Sequence, residues 1–373
     1  MGKENQKEMR YRIVVPLKVA SFLFFLLLSS NIMLTSADRG MIPIIPEVSI
    51  YEPGQKAIIA WNGQEEILIL STDASSTYNT TTLEILPLPS NPKKIAEASL
   101  ESFNVIQELI WLHTPPPSAF NFGETKRDIE VLFHEKIGMH DITVVEAGNV
   151  SEFVEWMDEF LIKNGMNQEV SLRDFESIIE DYMSRGFHFY VLDLVELSPD
   201  RKSVEPILYE FDTDFLYYPL LITSPIGGEG KILLFLLTEG LLEDGYYPLE
   251  KAYYHGLDFF QPIQFWVSNE ELSTIDPSMA YLFEDKAILT VLRYEGSLDK
   301  LTEDMAITEI APIVTGDLNF NGKVDIFDVI TVTMAFGSRL GDSNWDLIAD
   351  ANNDDIVDIF DVVLVATNFG KTY

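Results

Sequence analysis

Two acidic stretches near the C-terminus follow one pattern, and that pattern limits what this part of the chain can fold into. The first runs Asp317-Leu318-Asn319-Phe320-Asn321-Gly322-Lys323-Val324-Asp325-Ile326-Phe327-Asp328. The second runs Asp350-Ala351-Asn352-Asn353-Asp354-Asp355-Ile356-Val357-Asp358-Ile359-Phe360-Asp361. Oxygen-bearing side chains fall at positions 1, 3, 5, 9 and 12 of each twelve-residue stretch. That is the spacing of an EF-hand loop, whose hard cation takes six to eight oxygens. The offset of 33 residues (317 to 350) also carries Phe336-Gly337 onto Phe369-Gly370. Scattered acidic residues do not repeat ligand spacing and flanking sequence together.

The expected ligands of a first calcium ion are Asp317, Asn319, Asn321, the Lys323 carbonyl, Asp325 and Asp328. Those of a second are Asp350, Asn352, Asp354, the Ile356 carbonyl, Asp358 and Asp361. Gly322 permits the tight turn at position 6 of the first loop. Asp355 stands there in the second and takes a left-handed conformation at modest cost. Carboxylates about 4 Å apart repel by roughly 1 kcal/mol in bulk water and by more at a protein surface. Loops carrying three and four carboxylates should therefore open without a cation. A module of this size is marginal without metal.

A helix is expected after each loop, with Ile326, Val329, Ile330 and Thr333 recurring at helical spacing, and Ile359, Val362, Val363 and Ala366 likewise. Each run stops at Phe-Gly, and Pro312 and Gly316 leave no entering helix before the first loop. Loop then helix, twice, with Asp at position 12, resembles a type I dockerin module over Thr315 to Gly370. The resemblance implies a small all-α, calcium-binding, EF-hand-related domain at 315–373 that mediates protein–protein docking. Loop positions 10 and 11 depart from it. Dockerins usually place small hydroxylated residues there, facing a cohesin, whereas here stand Ile326-Phe327 and Ile359-Phe360. The calcium chemistry carries over; the cohesin partner does not. These apolar pairs are either a docking face or packed inward.

At the other end, Lys3, Lys7, Arg10, Arg12 and Lys18 precede the apolar run Val19 to Leu28, and Thr35-Ser36-Ala37 supplies small residues. Basic region, short apolar core and small-residue site make residues 1–37 a secretory signal peptide. The alternative is an uncleaved anchor, since Ile13 to Leu34 is almost long enough to span a bilayer. Either way the bulk of the protein is expected to be secreted or at the cell surface, touching membrane only through this segment. The formal net charge of −35 excludes nucleic acid as a partner, because phosphates need a positive patch. The chain has no cysteine, so thiol catalysis, disulfides and thiolate metal sites are excluded.

Residues 41–311 are expected to form an α+β domain with antiparallel strands and inserted helices. Lys56 to Trp61 and Glu66 to Leu70 flank Asn62-Gly63, a hairpin signal. Strands are also expected at Leu83–Leu86, Ile129–Phe133, Asp141–Glu146, Phe187–Val195, Ile207–Phe215, Lys231–Leu237 and Lys286–Arg293. A helix is expected over Lys94–Ile110, ended by the Thr114-Pro-Pro-Pro-Ser118 loop. Asn149 with Glu152 forms a capping box before another helix, and Phe175, Ile178, Ile179 and Met183 mark a third that stops at Gly186. The stretch Tyr51 to Gly63, the strand end Pro87-Leu-Pro-Ser90 and Tyr182 to Phe189 resemble an uncharacterised prokaryotic family of exported proteins, a domain of unknown function. That resemblance covers Pro43 to Pro225 and implies a fold without a mechanism.

Among the five histidines there is no His-Glu-x-x-His pair, and neither a Gly-x-Ser-x-Gly elbow nor a phosphate loop occurs. Gly227-Gly228-Glu229-Gly230 reads as a turn. The aromatic stretch Tyr217-Tyr218, Tyr246-Tyr247, Tyr253-Tyr254, Phe259-Phe260 and Trp266 is either a sugar-binding face or core, with core favoured. Two functions follow as expectations. The first is an exported non-catalytic protein whose calcium-stabilised module docks the α+β domain to a protein partner or to itself. The second is an extracellular hydrolase acting on polysaccharide, with the module as an accessory.

Overall fold

The run Ala57-Ile-Ile-Ala-Trp61 is apolar at every position, so a strand there must be covered on both faces. In the computed structural model it is. Described are residues 42–43, 50–113, 140–165, 173–199, 202–203, 205–242, 246–255 and 260–372, apart from 340, 341, 343, 347 and 353. The expected leader over 1–37, the Thr114–Ser118 loop and the Ile129–Phe133 strand lie outside these residues. Among the described residues no helix is long and apolar enough to cross a membrane.

The elements run β1 (Ile42–Pro43), β2 (Ile50–Trp61), β3 (Glu65–Ser76), β4 (Thr80–Leu88), β5 (Lys94–Glu97), α1 (Glu101–His113), β6 (His140–Glu146), α2 (Val150–Lys163) and α3 (Arg173–Ser184). Then come β7 (Phe189–Leu197), β8 (Lys202–Ser203), β9 (Ile207–Asp212), β10 (Leu216–Tyr218), β11 (Glu229–Thr238), β12 (Glu250–Lys251), β13 (Tyr253–His255), β14 (Phe260–Pro262) and β15 (Gln264–Ser268). The chain ends with α4 (Asn269–Ile275), α5 (Pro277–Leu282), β16 (Lys286–Ser297), β17 (Met305–Ile307), α6 (Ile326–Ala335) and α7 (Ile359–Asn368).

A large sheet has the order β12-β16-β11-β2-β3-β9-β5, with β15 also on β16 and β8 on β3. A smaller sheet has the order β1-β4-β7-β6. Among the described strands only β2 and β11 pair in parallel, so the architecture is mixed α+β with mostly antiparallel sheets. The expected hairpin joins β2 to β3. Gly63 takes φ 90, and the Asn62 side chain accepts from the Gln64 and Glu65 N–H groups.

Alternation along the central strands separates two cores. Ala57, Ile59, Trp61, Leu68 and Leu70 face the smaller sheet and helices α2 and α3. Ile58, Ala60, Ile67 and Ile69 face α1, α4 and α5. Each leucine or isoleucine among them contributes about 1.5–3 kcal/mol on burial. One expectation is corrected here. Lys94–Glu97 is a strand on β9, and the helix begins only at Glu101. Ser99 accepts the Glu101 N–H and starts the helix late, so Ile95 packs on one core while Phe103, Ile106 and Ile110 pack on the other. The expected β6 strand pairs with β7. The Asn149 side chain accepts the Glu152 N–H, as its cap spacing requires.

Asp304 closes the core between the two sheets. It accepts from the Tyr182 hydroxyl at 2.8 Å, the Leu221 N–H at 2.8 Å and Arg185 at 2.9 Å. Arg185 in turn lies over the Tyr182 ring at 4.5 Å. The cluster ties α3 to the 3₁₀ turn Leu221–Ile226, and both to the segment leading into β17.

Glu66 on β3 is fully buried, and burial pushes its carboxyl well above the ordinary glutamate range against the pull of the Tyr217 N–H at 2.7 Å. A raised folded pKa means that the native state holds a proton the unfolded chain has lost. Stability then falls as pH rises above the unfolded value, by up to about 1.4 kcal/mol per pH unit. Glu66→Gln escapes that loss. Its urea midpoint should gain on the parent protein between about pH 5 and about pH 8; a gap that stays constant with pH would show the carboxyl to be ionised in the fold.

Candidate metal centre

The side chains at loop positions 1, 3 and 5 are short and oxygen-bearing, which lets each accept a backbone N–H a few residues on and curl the chain. Asp317 accepts from Asn321 N at 3.1 Å and Gly322 N at 2.8 Å. Asp350 accepts from Asp354 N at 3.1 Å and Asp355 N at 2.8 Å. Asn319 and Asn352 accept from Asn321 and Asp354 respectively. Asn321 Oδ1 holds Lys323 N at 3.1 Å, and Asp354 Oδ1 holds Ile356 N at 3.0 Å. These bonds are common to the two loops. Gly322 (φ 87) and Asp355 (φ 63) both take the left-handed turn expected at position 6.

Positions 9 and 12 hand each loop to its helix. Asp325 caps α6 through Phe327 N, and Asp328 returns a bond to Asp325 N at 2.7 Å. Asp358 and Asp361 do the same for α7. The position-12 carboxylates also reach back across the loop. Asp328 accepts from Leu318 N and Asn319 N, and Asp361 from Asn352 N. The repeats then cross. Val324 of the first loop pairs with Gly370 and Lys371 beyond α7, and Val357 of the second with Gly337 and Ser338 beyond α6.

Positions 1 and 12 are the buried ones: Asp317 at 2%, Asp328 at 0%, Asp350 at 3% and Asp361 at 0% exposure. Burial, with Asp328 beside it, pushes Asp317 up to about 6 against the Gly322 and Asn321 N–H groups. Burial also raises Asp328 and Asp350, the latter helped by the charges of Asp361 and Asp354. Among the described residues no lysine or arginine forms an ion pair with any of these four; Lys323 pairs with Asp325 instead, at 2.9 Å. Buried negative charge without a cation is costly. Each carboxylate oxygen that takes one N–H keeps a further lone pair. An all-oxygen set of this kind suits a hard divalent cation. Among the described residues no group of three or more His, Cys, Asp or Glu side chains is gathered to hold a metal by itself. The donor set of the first loop is mixed, with amide oxygens from Asn319 and Asn321.

Two features escaped the sequence. The apolar spacing on the helices does not mark their buried side. Ile326, Phe327 and Ile330 are exposed, as are Ile359, Phe360 and Val363, and the core side is Asp328, Val332, Ala335, Asp361 and Val365. The open question about Ile326-Phe327 and Ile359-Phe360 is thereby answered: they face outward. The second feature is Phe320, at position 4 of the first loop. It is 7% exposed and packs beneath Trp266, Ile288 and Leu241 of the α+β domain. Nothing in its spacing singles it out.

In the α+β domain, Tyr217 and Tyr218 are core, whereas Tyr247 and Tyr253 are exposed. Gly227 and Gly228 take positive φ and form the expected turn before β11. A groove of about 670 Å³ at one end of the large sheet is lined by Gln55, Lys231, Tyr247, Glu250, Arg293 and Glu295 among others. Lys231 pairs with Glu295 at 2.8 Å across an exposed surface. No family model matches the chain, and no curated protein matches it. Among solved structures, baculovirus P35 aligns at 10% identity and a TM-score of 0.38, over 71% of this chain and 98% of that one. P35 in the caspase-8/P35 complex aligns at 8% identity and 0.35, over 69% and 97%. A mutated baculovirus P35 after caspase cleavage aligns at 9% identity and 0.34, over 69% and 99%. Likeness at this level carries neither fold nor function over.

Two substitutions test the loop geometry. Asp361→Ala removes the acceptor of Asn352 N and Asp358 N and should cost about 3 kcal/mol, read as faster amide exchange at both positions. Asp355→Gly relieves a left-handed non-glycine residue and should stabilise the second repeat by about 1 kcal/mol, seen as a higher melting temperature.

Proposed function

We propose that this chain is an exported, non-catalytic protein in which two calcium ions stabilise a dockerin-like module, and that the module docks the α+β domain to a protein partner. The observation that carries the reading is a repeated one: each helix sets an exposed apolar face directly after a loop closed by buried aspartates. In the first loop Asp317, Asn319, Asn321, the Lys323 carbonyl, Asp325 and Asp328 would hold one ion. In the second, Asp350, Asn352, Asp354, the Ile356 carbonyl, Asp358 and Asp361 would hold the other. Each ion supplies the positive charge that the buried carboxylates lack. Outside a cell, an affinity on the order of 10⁻⁴ M is enough.

The docking face follows from the same repeat. Ile326, Phe327 and Ile330 on α6, with Ile359, Phe360 and Val363 on α7, are large apolar side chains at the surface, each between about two fifths and two thirds exposed. Large apolar side chains exposed together on a helix face suit a protein contact. Its chemistry calls for an apolar partner surface, unlike the hydroxyl-centred face of a dockerin that meets a cohesin. For the alternative, a polysaccharide hydrolase, the groove beside Tyr247 offers two carboxylates. Its Glu250 and Glu295 are exposed, and Lys231 pairs with Glu295.

Calorimetric titration of the full chain with calcium should give about two ions per chain. Loss of the signal in the Asp317→Ala, Asp350→Ala double variant should accompany it, and no uptake by the parent chain would sink the reading. Replacing Phe327 and Phe360 together by serine should leave calcium uptake intact. The same change should abolish chelator-sensitive capture of the partner from an extracellular fraction, by about 2 kcal/mol or more for the pair.

A further inference from the structure

We propose that the first loop is also the latch holding the module to the α+β domain, so that calcium in that loop controls whether the two stay packed. This rests on the calcium reading and goes beyond it, because it assigns the two loops different tasks. Phe320 stands at position 4, between the expected ligands Asn319 and Asn321. Its ring meets the Trp266 ring edge-on, with centroids 6.1 Å apart and planes at 71°. Ile288 and Leu241, at 0% and 1% exposure, form the rest of the socket, with Ala311 and Ile313 packed against it. Lys286 covers the Trp266 ring at 4.2 Å.

Phe320 reaches that socket only through an unusual backbone. Its φ of 55 lies in the left-handed region, which a bulky side chain leaves unless it is held. What holds it is the curl made by Asp317 and Asn319 on the N–H groups of Asn321 and Gly322. Those carboxylate and amide oxygens are also the expected ligands. Ion and latch therefore share one piece of backbone. Removing the ion leaves Asp317 and Asp328 in mutual repulsion, and the curl that aims Phe320 opens with them. The second loop carries polar Asn353 at the same position and has no such plug to offer. The linker is fixed independently: Leu241 and Ala311 exchange hydrogen bonds of 2.9 and 2.7 Å, and a Cβ on Gly240 would lie 2.6 Å from the Ala311 carbonyl oxygen. Release of the latch would thus swing the module about a pinned strap without freeing the chain.

The absence of native cysteine makes a single introduced thiol a clean reporter. Leu241→Cys, beneath Phe320 in the full chain, should react with an aromatic disulfide reagent slowly in calcium and at least about ten-fold faster in chelator. Leu70→Cys, deep in the other core, should stay slow in both and shows that the α+β domain has not unfolded. In the Leu241→Cys background, Phe320→Ala should label fast even in calcium while still taking up calcium by calorimetry. Calcium uptake with a labelling rate unchanged by chelator, or slow labelling of the Phe320→Ala variant, overturns the latch alone. No calcium uptake at all removes the metal reading and the latch together.

Discussion

Four buried aspartates decide how the last sixty or so residues fold. Asp317, Asp328, Asp350 and Asp361 sit at the first and twelfth positions of their loops, and each gathers backbone N–H groups from sites far apart in the loop. The core they stand beside is small: Leu318, Val324, Val332, Ala335, Ala349, Val357 and Val365. Apolar burial on that scale does not fold a module alone. The carboxylates supply the missing organisation, yet as a group they are electrostatically unfinished. The burial that closes the loops is also what raises Asp317, Asp328 and Asp350.

The crossed pairing makes the two repeats interdependent. Val324 is bonded to the chain after α7, and Val357 to the chain after α6. Gly316 lets the entering strand come close, since a Cβ there would lie 3.2 Å from the Val365 Cα. Neither loop can open without loosening the end of the other helix. The module also has two separate contacts with the α+β domain. Phe320 sits in the Trp266 socket, and Asp346 lies within electrostatic reach of His113. His113 stacks on Phe265 with centroids 4.2 Å apart.

What could be read from the residues alone was whatever local chemistry decides. Asn62-Gly63, Asn149, Gly186 and the Asp and Asn side chains of both loops act on backbone groups within a few positions, so their spacing announces them. The misreadings have one cause in common. At Lys94–Glu97 the apolar spacing suited a helix, but the edge of β9 offered a ladder of backbone partners that no local signal reveals. On α6 and α7 the apolar spacing announces a helix but not which side of it is buried. The inward side had already been taken by Asp328 and Asp361, which must bury to close their loops. Phe320 was invisible because its partners, Leu241, Trp266 and Ile288, come from three distant segments.

The outward stripe then has a physical explanation. A helix whose first turn carries the buried position-12 aspartate must turn that side inward, and Val332 and Val365 follow it one turn on. The positions left facing water are 10, 11 and 14 of each repeat, which in most small domains would be polar. Here they are Ile326, Phe327 and Ile330, and Ile359, Phe360 and Val363. On a chain with a net charge of −35, such residues are not needed to fill a core and work against solubility. The same three positions carry them in both copies, while positions 4 and 6 have diverged to Phe320 against Asn353 and Gly322 against Asp355. Position 4 is a phenylalanine in the repeat that packs on Trp266 and Ile288, while the apolar residues of the helix face are common to both copies.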